Sequence, residues 1–269
     1  MCTIFAKCEE EGLIVGRSFD WVQFGGNICF EPSYRSYGVN TIGHCSIEQL
    51  GIDRPYEGIN EKGLLAAALA LSMDKGEQGE LTPLVINCQG MLKYILERAG
   101  TVDEAFYIIK QFTLDYERKY GFPKIQFFFA DTGNKVGIYE ENVYEENVTL
   151  DVGEYRMLTN QSATDSLRYS RDKKTKNILD ENRKIDVDYC MDIVSQAKQE
   201  ELTAWSSVYI PRDKMFFLCI DQNFDKKYKF DLEKCLKRGR YSIDFAELKL
   251  NARVMSRKRN EGFMELDTY

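Results

Sequence analysis

The chain has 269 residues, 43 % of them hydrophobic and 13 % aromatic, with a formal net charge of −7 at pH 7. That composition supplies a sizeable core and argues against disorder, and the acidic balance speaks against nucleic acid or an anionic membrane as partner. No apolar run reaches the roughly 20 residues of a spanning helix, and no basic and then apolar leader opens the chain, so a cytoplasmic location is expected.

Taken in order, CTIFAKC and LIVGRSFDW flank an acidic, Gly-containing turn and predict a hairpin. GGNICFEP predicts the next strand. GINEKGLLAAALAL predicts a turn over Asn60–Gly63 and then a buried strand of small residues. TPLVINCQGMLKYILERAG predicts a helix capped by Thr82, with Pro83 in its first turn and Gly100 at its end. Leu84, Cys88, Met91, Leu92 and Ile95 would form its apolar stripe. TVDE then opens a second helix with a capping box of Thr101 and Glu104. IQFFFAD and KVGIYE predict a hairpin around TGN, and YRMLTN a strand. Helices follow over 164–181 and 187–199. AWSSVYI and KMFFLCID predict another hairpin, with a further strand near 227–232.

Paired helices and hairpin strands argue against a parallel βαβ sheet. They favour an α+β fold in which two antiparallel sheets lie under two helical layers. With no internal repeat or linker, the expectation is a single domain over 1–269. Its core is about 2–232, and 233–269 is a peripheral extension. The locally basic stretch RVMSRKRN at 253–260 reads as a solvated face or an oligomer arm.

The chain has eight cysteines but no C-x-x-C pair, and His44 is its one histidine. No metal site is expected on that spacing, and His44 reads as structural. Cys2 stands apart because removal of Met1 would give it a free α-amine beside its thiol. Ordinary pKa values for the two groups are about 8 and about 8.5, so the amine can take the thiol's proton without a histidine. GRSFDW places Arg17 and Asp20 on the partner strand of the same hairpin. Arg17 can stabilise a thiolate and Asp20 can hold the α-amine. Trp21 and Phe24 follow the strand end, where they either line an acyl pocket or pack in the core. Trp205 reads as core.

MCT, GRSFDW, GINEKGL and LTN, in that order, resemble the choloylglycine hydrolase and penicillin V acylase superfamily. FDW and the later WSSVY are similar to its linear-amide hydrolase and acyltransferase branches. The resemblance implies a four-layer αββα sandwich, the N-terminal-nucleophile hydrolase fold. It implies that Cys2 attacks an amide carbonyl and carries the acyl group, with Arg17 against the thiolate and Asp20 against the amine. Asn160 of LTN would help form the oxyanion hole. An arginine that follows LTN in the family matches Arg168 in DSLRY, with Arg171 as the alternative. Alignment on GINEKGL puts Ala70 where bile-salt and penicillin enzymes carry an Asn or Tyr facing the oxyanion. A methyl group cannot donate a hydrogen bond, which argues against bile salts; either a backbone amide serves or the site is built differently.

The implied substrate is a small-molecule, linear N-acyl amide. No cofactor, metal, nucleic acid or membrane partner is implied, and a homo-oligomer, dimer or tetramer, is expected by analogy. An acyltransferase using the same acyl-enzyme, or a catalytically silent binding protein on the same fold, are the alternatives.

Overall fold

The computed structural model describes residues 2–22, 25–36, 38–49, 54–71, 84–116, 123–165, 169–255 and 263–265. The opening hairpin forms from β1 (Thr3–Glu9) and β2 (Gly12–Asp20), paired from Thr3↔Ser18 to Glu9↔Gly12. β3 (Gly26–Glu31) follows, then the short pair β4 (Arg35–Ser36) and β5 (Val39–Asn40), then β6 (His44–Gln49). β7 (Pro55–Asn60) and β8 (Leu65–Ala70) are joined by the expected turn. Asn60 closes it, accepting from the Lys62 and Leu64 amides at 3.0 and 3.1 Å. Gly63 has φ +83°, and a Cβ there would meet the Pro211 carbonyl oxygen at 2.5 Å.

β9 (Val85–Asn87), α1 (Cys88–Leu96), α2 (Val102–Ile109) and β10 (Thr113–Asp115) come next. β11 (Ile125–Ala130), β12 (Lys135–Glu140), β13 (Tyr144–Thr149) and β14 (Tyr155–Thr159) form a run of strands. α3 (Ser170–Asp180) and α4 (Val187–Ala197) precede β15 (Thr203–Ile210), β16 (Met215–Ile220) and β17 (Lys227–Asp231). The chain closes with α5 (Leu232–Leu236), β18 (Tyr241–Asp244), α6 (Phe245–Met255) and β19 (Phe263–Glu265).

A seven-stranded sheet has the order β14-β1-β2-β15-β16-β17-β19, and an eight-stranded sheet β13-β12-β11-β8-β7-β6-β3-β18. Alternation along each strand divides its side chains between two layers. In β8, Leu65, Ala67 and Leu69 face the other sheet, while Ala66 and Ala68 face α1 and α2. In β1, Ile4 and Ala6 face the other sheet, while Phe5 packs on Cys190, Met191 and Val194 of α4. Three apolar clusters therefore separate four layers, αββα, as expected. Gly16 is required where α4 crosses β2, since a Cβ there would lie 2.6 Å from the Phe5 ring and 2.9 Å from Cys190 Sγ. Part of the 233–269 segment enters this core: Phe245 and Leu248 are buried between the sheets, and β18 and β19 extend an edge of each sheet.

Some boundaries differ from expectation. α1 begins at Cys88, and Asn87 caps it by accepting from the Gln89 and Gly90 amides. Thr82 and Pro83 lie outside the described residues. Val85 and Ile86 belong to β9, which pairs in parallel with β10, and their β-branched side chains suit that extended form. Leu84 is half exposed rather than part of the stripe, whereas Cys88, Met91, Leu92 and Ile95 are buried. The Thr101 hydroxyl accepts from the Glu104 amide as expected, but Glu104 reaches back to the Gly100 amide. α3 starts at Ser170, later than the 164 expected, and α4 ends at Ala197, where Lys198 turns extended.

Candidate active site

A cleft of about 340 Å³ opens where β1 begins and where β2, β8 and β14 end. Cys2, Asp20, Trp21, Ala70 and Asn160, all named from sequence, line it. Its remaining wall is apolar: Phe19, Tyr56, Ala68, Leu71, Pro123 and Leu202, with Val22 at the exposed rim. Trp21 and Phe19 pack against Tyr56 with ring centroids 6.4 and 4.9 Å apart, so Trp21 belongs to an aromatic wall rather than to solvent. Burial pushes the Tyr56 hydroxyl up to about 12, against a hydrogen bond with Gln89 that favours its ionised form. Phe24 lies outside the described residues, as does Met1.

Register brings Cys2 and Asn160 together. β1 pairs with β14 antiparallel, and the last paired position is Thr3↔Thr159. Cys2 and Asn160 each stand one residue beyond it, so they face each other across the end of the ladder. Asn160 is held from several sides. Its Nδ2 donates to the Ala70 carbonyl, leaving the second N–H of the amide available. Gln126 of β11 donates to the carbonyls of Thr159 and Gln161 on either side of it. Ala70 thus acts through its backbone: its carbonyl orients Asn160, while its methyl leaves room in the cleft.

Arg17 lies on the face of β2 turned to the other sheet and is fully buried. Its guanidinium enters β7 and β8 at the opposed carbonyls of Tyr56 and Ala68, donating at 2.8 and 2.7 Å. Both of those residues line the cleft. Nε lies 3.3 Å from Glu57 Oε2, an ion pair rather than an aligned hydrogen bond. Glu57, also fully buried, accepts from Trp205 Nε1 at 2.5 Å and from Ser207 Oγ at 3.1 Å. Trp205 stacks on Phe19 with centroids 3.8 Å apart. It is core, as expected, and also a donor to the charge that Arg17 pairs with.

Asp20 points to the opposite face. It accepts from Thr203 Oγ1 at 2.5 Å and from Arg171 Nη1 at 2.7 Å. Thr203 reaches that face because β15 is bulged: Thr203 opposes Asp20, yet Trp205 opposes Phe19. The extra residue turns Thr203 outward while Trp205 and Ser207 point inward. Of the two candidate arginines, Arg171 joins the site and Arg168 lies outside the described residues. The family pattern matches Arg168 in DSLRY better, which leaves Arg171 as the alternative in a reading of the sequence alone. Glu57, Thr203 and Ser207 were missed altogether. The spacing of Trp205 and Ser207 in AWSSVY was the available signal for the inner pair.

Among the described residues, Glu31, His44 and Glu97 bring ligand-type atoms within 4.8 Å of one another. Lys93 and Arg240 pair with Glu31, and Arg98 pairs with Glu97 at 2.8 Å. These carboxylates already have counter-ions. Burial lowers the His44 pKa, against the pull of Glu31. The group lies at the other end of β6 and β7 from the cleft.

No family model matches the chain, and no curated protein matches it in sequence. Solved structures do match. Penicillin V acylase from Agrobacterium tumefaciens superposes with a TM-score of 0.63 at 15 % identity, covering 87 % of each chain. An arginine-to-leucine variant of conjugated bile acid hydrolase from Clostridium perfringens gives 0.70 at 17 % identity, over 91 % of this chain and 96 % of that one. A Caenorhabditis elegans ortholog of N-acylethanolamine-hydrolyzing acid amidase gives 0.54 at 15 % identity, over 79 % and 93 %. At these identities the likeness is one of fold, and the fold is that of the N-terminal-nucleophile hydrolases. No helix among the described residues is long and apolar enough to cross a membrane.

Proposed function

We propose that this chain, which carries the fold of those amide hydrolases, is itself an amide hydrolase acting on N-acyl amides through Cys2. The observation that carries the reading is the convergence of Cys2, Asp20 and Asn160 on one otherwise apolar cleft. After removal of Met1, the Cys2 α-amine takes the thiol proton and Sγ attacks the amide carbonyl. The free N–H of Asn160 Nδ2, with a backbone amide, stabilises the oxyanion. Collapse of the tetrahedral intermediate expels the amine, which leaves with the proton relayed from the Cys2 α-ammonium. The acyl group stays on sulfur as a thioester until water releases the acid. Asp20, fixed by Thr203 and Arg171, orients the α-amine. Arg17 supplies positive charge behind the β2 strand end.

The lining sets the acyl group. Among the described residues it offers aromatic and aliphatic surface and no lysine or arginine side chain, which suits an uncharged, apolar acyl group. The test is a panel of N-acyl amides with a free-amine readout, run beside intact-mass analysis. Protein lacking Met1 should release amine. Protein shown by mass to retain Met1 should not, since an amide nitrogen accepts no proton. Cys2→Ser should stay folded and lose most turnover, because an alcohol is a far weaker nucleophile than a thiol near neutral pH. Full activity in the Cys2→Ser variant, or in protein retaining Met1, would end this reading.

A further inference from the structure

Cys2 and Asn160 stand just past the last rung of the β1–β14 ladder, so main-chain pairing alone does not fix the distance between them. Something else must. On the far side of the sheet, in the first turn of α3, the Asp172 carboxylate is completely buried. Thr3 Oγ1 donates to its Oδ1 at 3.1 Å, and Gln161 Nε2 to its Oδ2 at 3.4 Å. Arg171 Nε lies 3.2 Å from Oδ1. Each partner adjoins a site residue: Thr3 follows Cys2, Gln161 follows Asn160, and Arg171 holds Asp20.

We propose that Asp172 is a positioning residue for the hydrolysis, an anionic clamp that substitutes for the missing rung. It ties the residue after Cys2 to the residue after Asn160, and aims Arg171 at Asp20. The inference rests on the assignment of Cys2 and Asn160 made above, and adds a residue that touches neither substrate nor nucleophile.

The physical case is one of cost. A carboxylate shut away from water is expensive unless donors and a counter-charge surround it. The charged and titratable groups facing this one are Arg171 from its own helix and, through Arg171, Asp20 from β2. β1 and the end of β14 offer the neutral donors Thr3 and Gln161. Burial raises the Asp172 pKa, with Arg171, Thr3 and Gln161 opposing the rise. A buried charge kept under those terms lies where it can hold both strand ends, and it is not among the residues that line the cleft.

The sign of its pH dependence follows. As pH falls, Asp172 takes a proton at a higher pH than an exposed aspartate does. It then loses its pairing with Arg171 and half of its grip on the strand ends. Asp172→Asn imitates that protonated state at every pH.

The experiment compares kcat, KM and melting temperature for wild type, Asp172→Asn and Thr3→Val, with Cys2→Ser alongside. Asp172→Asn should lower kcat at neutral pH by about ten- to a hundred-fold, the cost of a misplacement of the order of an ångström, with KM unchanged. The ratio of wild-type to Asp172→Asn kcat should shrink towards one as pH is lowered. Thr3→Val, which removes one donor and keeps the shape, should lower kcat in the same direction by less. It remains informative if Asp172→Asn does not fold. Wild-type kcat in folded Asp172→Asn, a ratio that ignores pH, or unchanged kcat in Thr3→Val would each overturn the clamp while leaving the Cys2 mechanism standing. Undiminished activity in Cys2→Ser would instead remove the reading beneath it.

Discussion

Two buried ion pairs flank the β2–β15 ladder, one on each face, and they are built from different materials. On the inner face Arg17 pairs with Glu57, and every group that holds the two comes from a strand: Tyr56, Ala68, Trp205 and Ser207. On the outer face Asp20 pairs with Arg171, which α3 supplies. The inner pair spans both sheets and is fully buried on both sides. The outer arginine keeps 13 % of its side-chain exposure and divides its charge pairing between Asp20 and Asp172. One pair is thus welded into the sandwich, and the other depends on where the first turn of a helix docks. The lesson is that the two arginines differ in what they hold: Arg17 ties the sheets to each other, and Arg171 holds the Asp20 carboxylate.

The largest expected effect breaks the inner pair. Arg17→Met leaves Glu57 charged, buried and without its counter-ion, which costs about 3–5 kcal/mol. Adding Glu57→Leu removes the stranded charge, and the double variant should recover most of that loss in chemical denaturation. Activity should not recover with it, because the positive charge behind the strand end is gone. A double variant no more stable than Arg17→Met would show that the pair is not the unit described here.

The outer pair should respond differently. Arg171→Met removes a charge-assisted donor from Asp20 and the counter-charge of Asp172, at about 1.5–3 kcal/mol by denaturation. Its main signature should be kinetic: kcat falls steeply while the fold persists. Equal stability losses in Arg17→Met and Arg171→Met, with equal residual activity, would erase the distinction between scaffold and orientation.

The same division explains what the sequence made legible. Cys2, Asp20, Asn160 and Ala70 could be placed because each belongs to a short local pattern at a strand end, and the paired helices and hairpins were enough to imply four layers. Glu57, Trp205 and Ser207 meet Arg17 only once β15, up to 190 positions later in sequence, has paired beside β2 and the two sheets have packed together. The spacing of Trp205 and Ser207 puts both on one face of a strand, but it does not name Arg17 or Glu57 as their partners. Arg171 stands outside the DSLRY pattern that favours Arg168, and it reaches Asp20 from the first turn of α3. The start of α1 was misread because Thr82 and Pro83 look like a cap and a first turn. The parallel pairing of Val85 and Ile86 with β10 overrides that local signal.

The smallest expected effect tests the bulge that serves both pairs from one strand. Ser207 and Thr203 each place one hydroxyl on a buried carboxylate, on opposite faces of β15. Ser207→Ala and Thr203→Val should each cost about 0.5–1.5 kcal/mol, the net worth of one hydrogen bond. Their effects on turnover should diverge. Glu57 keeps Trp205 and Arg17 when Ser207 loses its hydroxyl, so kcat should hold. Asp20 loses the donor that fixes its Oδ1, so Thr203→Val should lower kcat more than its stability cost would suggest. Valine preserves the branched shape of threonine and therefore the bulge, which keeps the comparison one of hydrogen bonds. Equal kcat in the two variants would mean that Asp20 needs no support from β15, and that the bulge shapes the strand without serving the site.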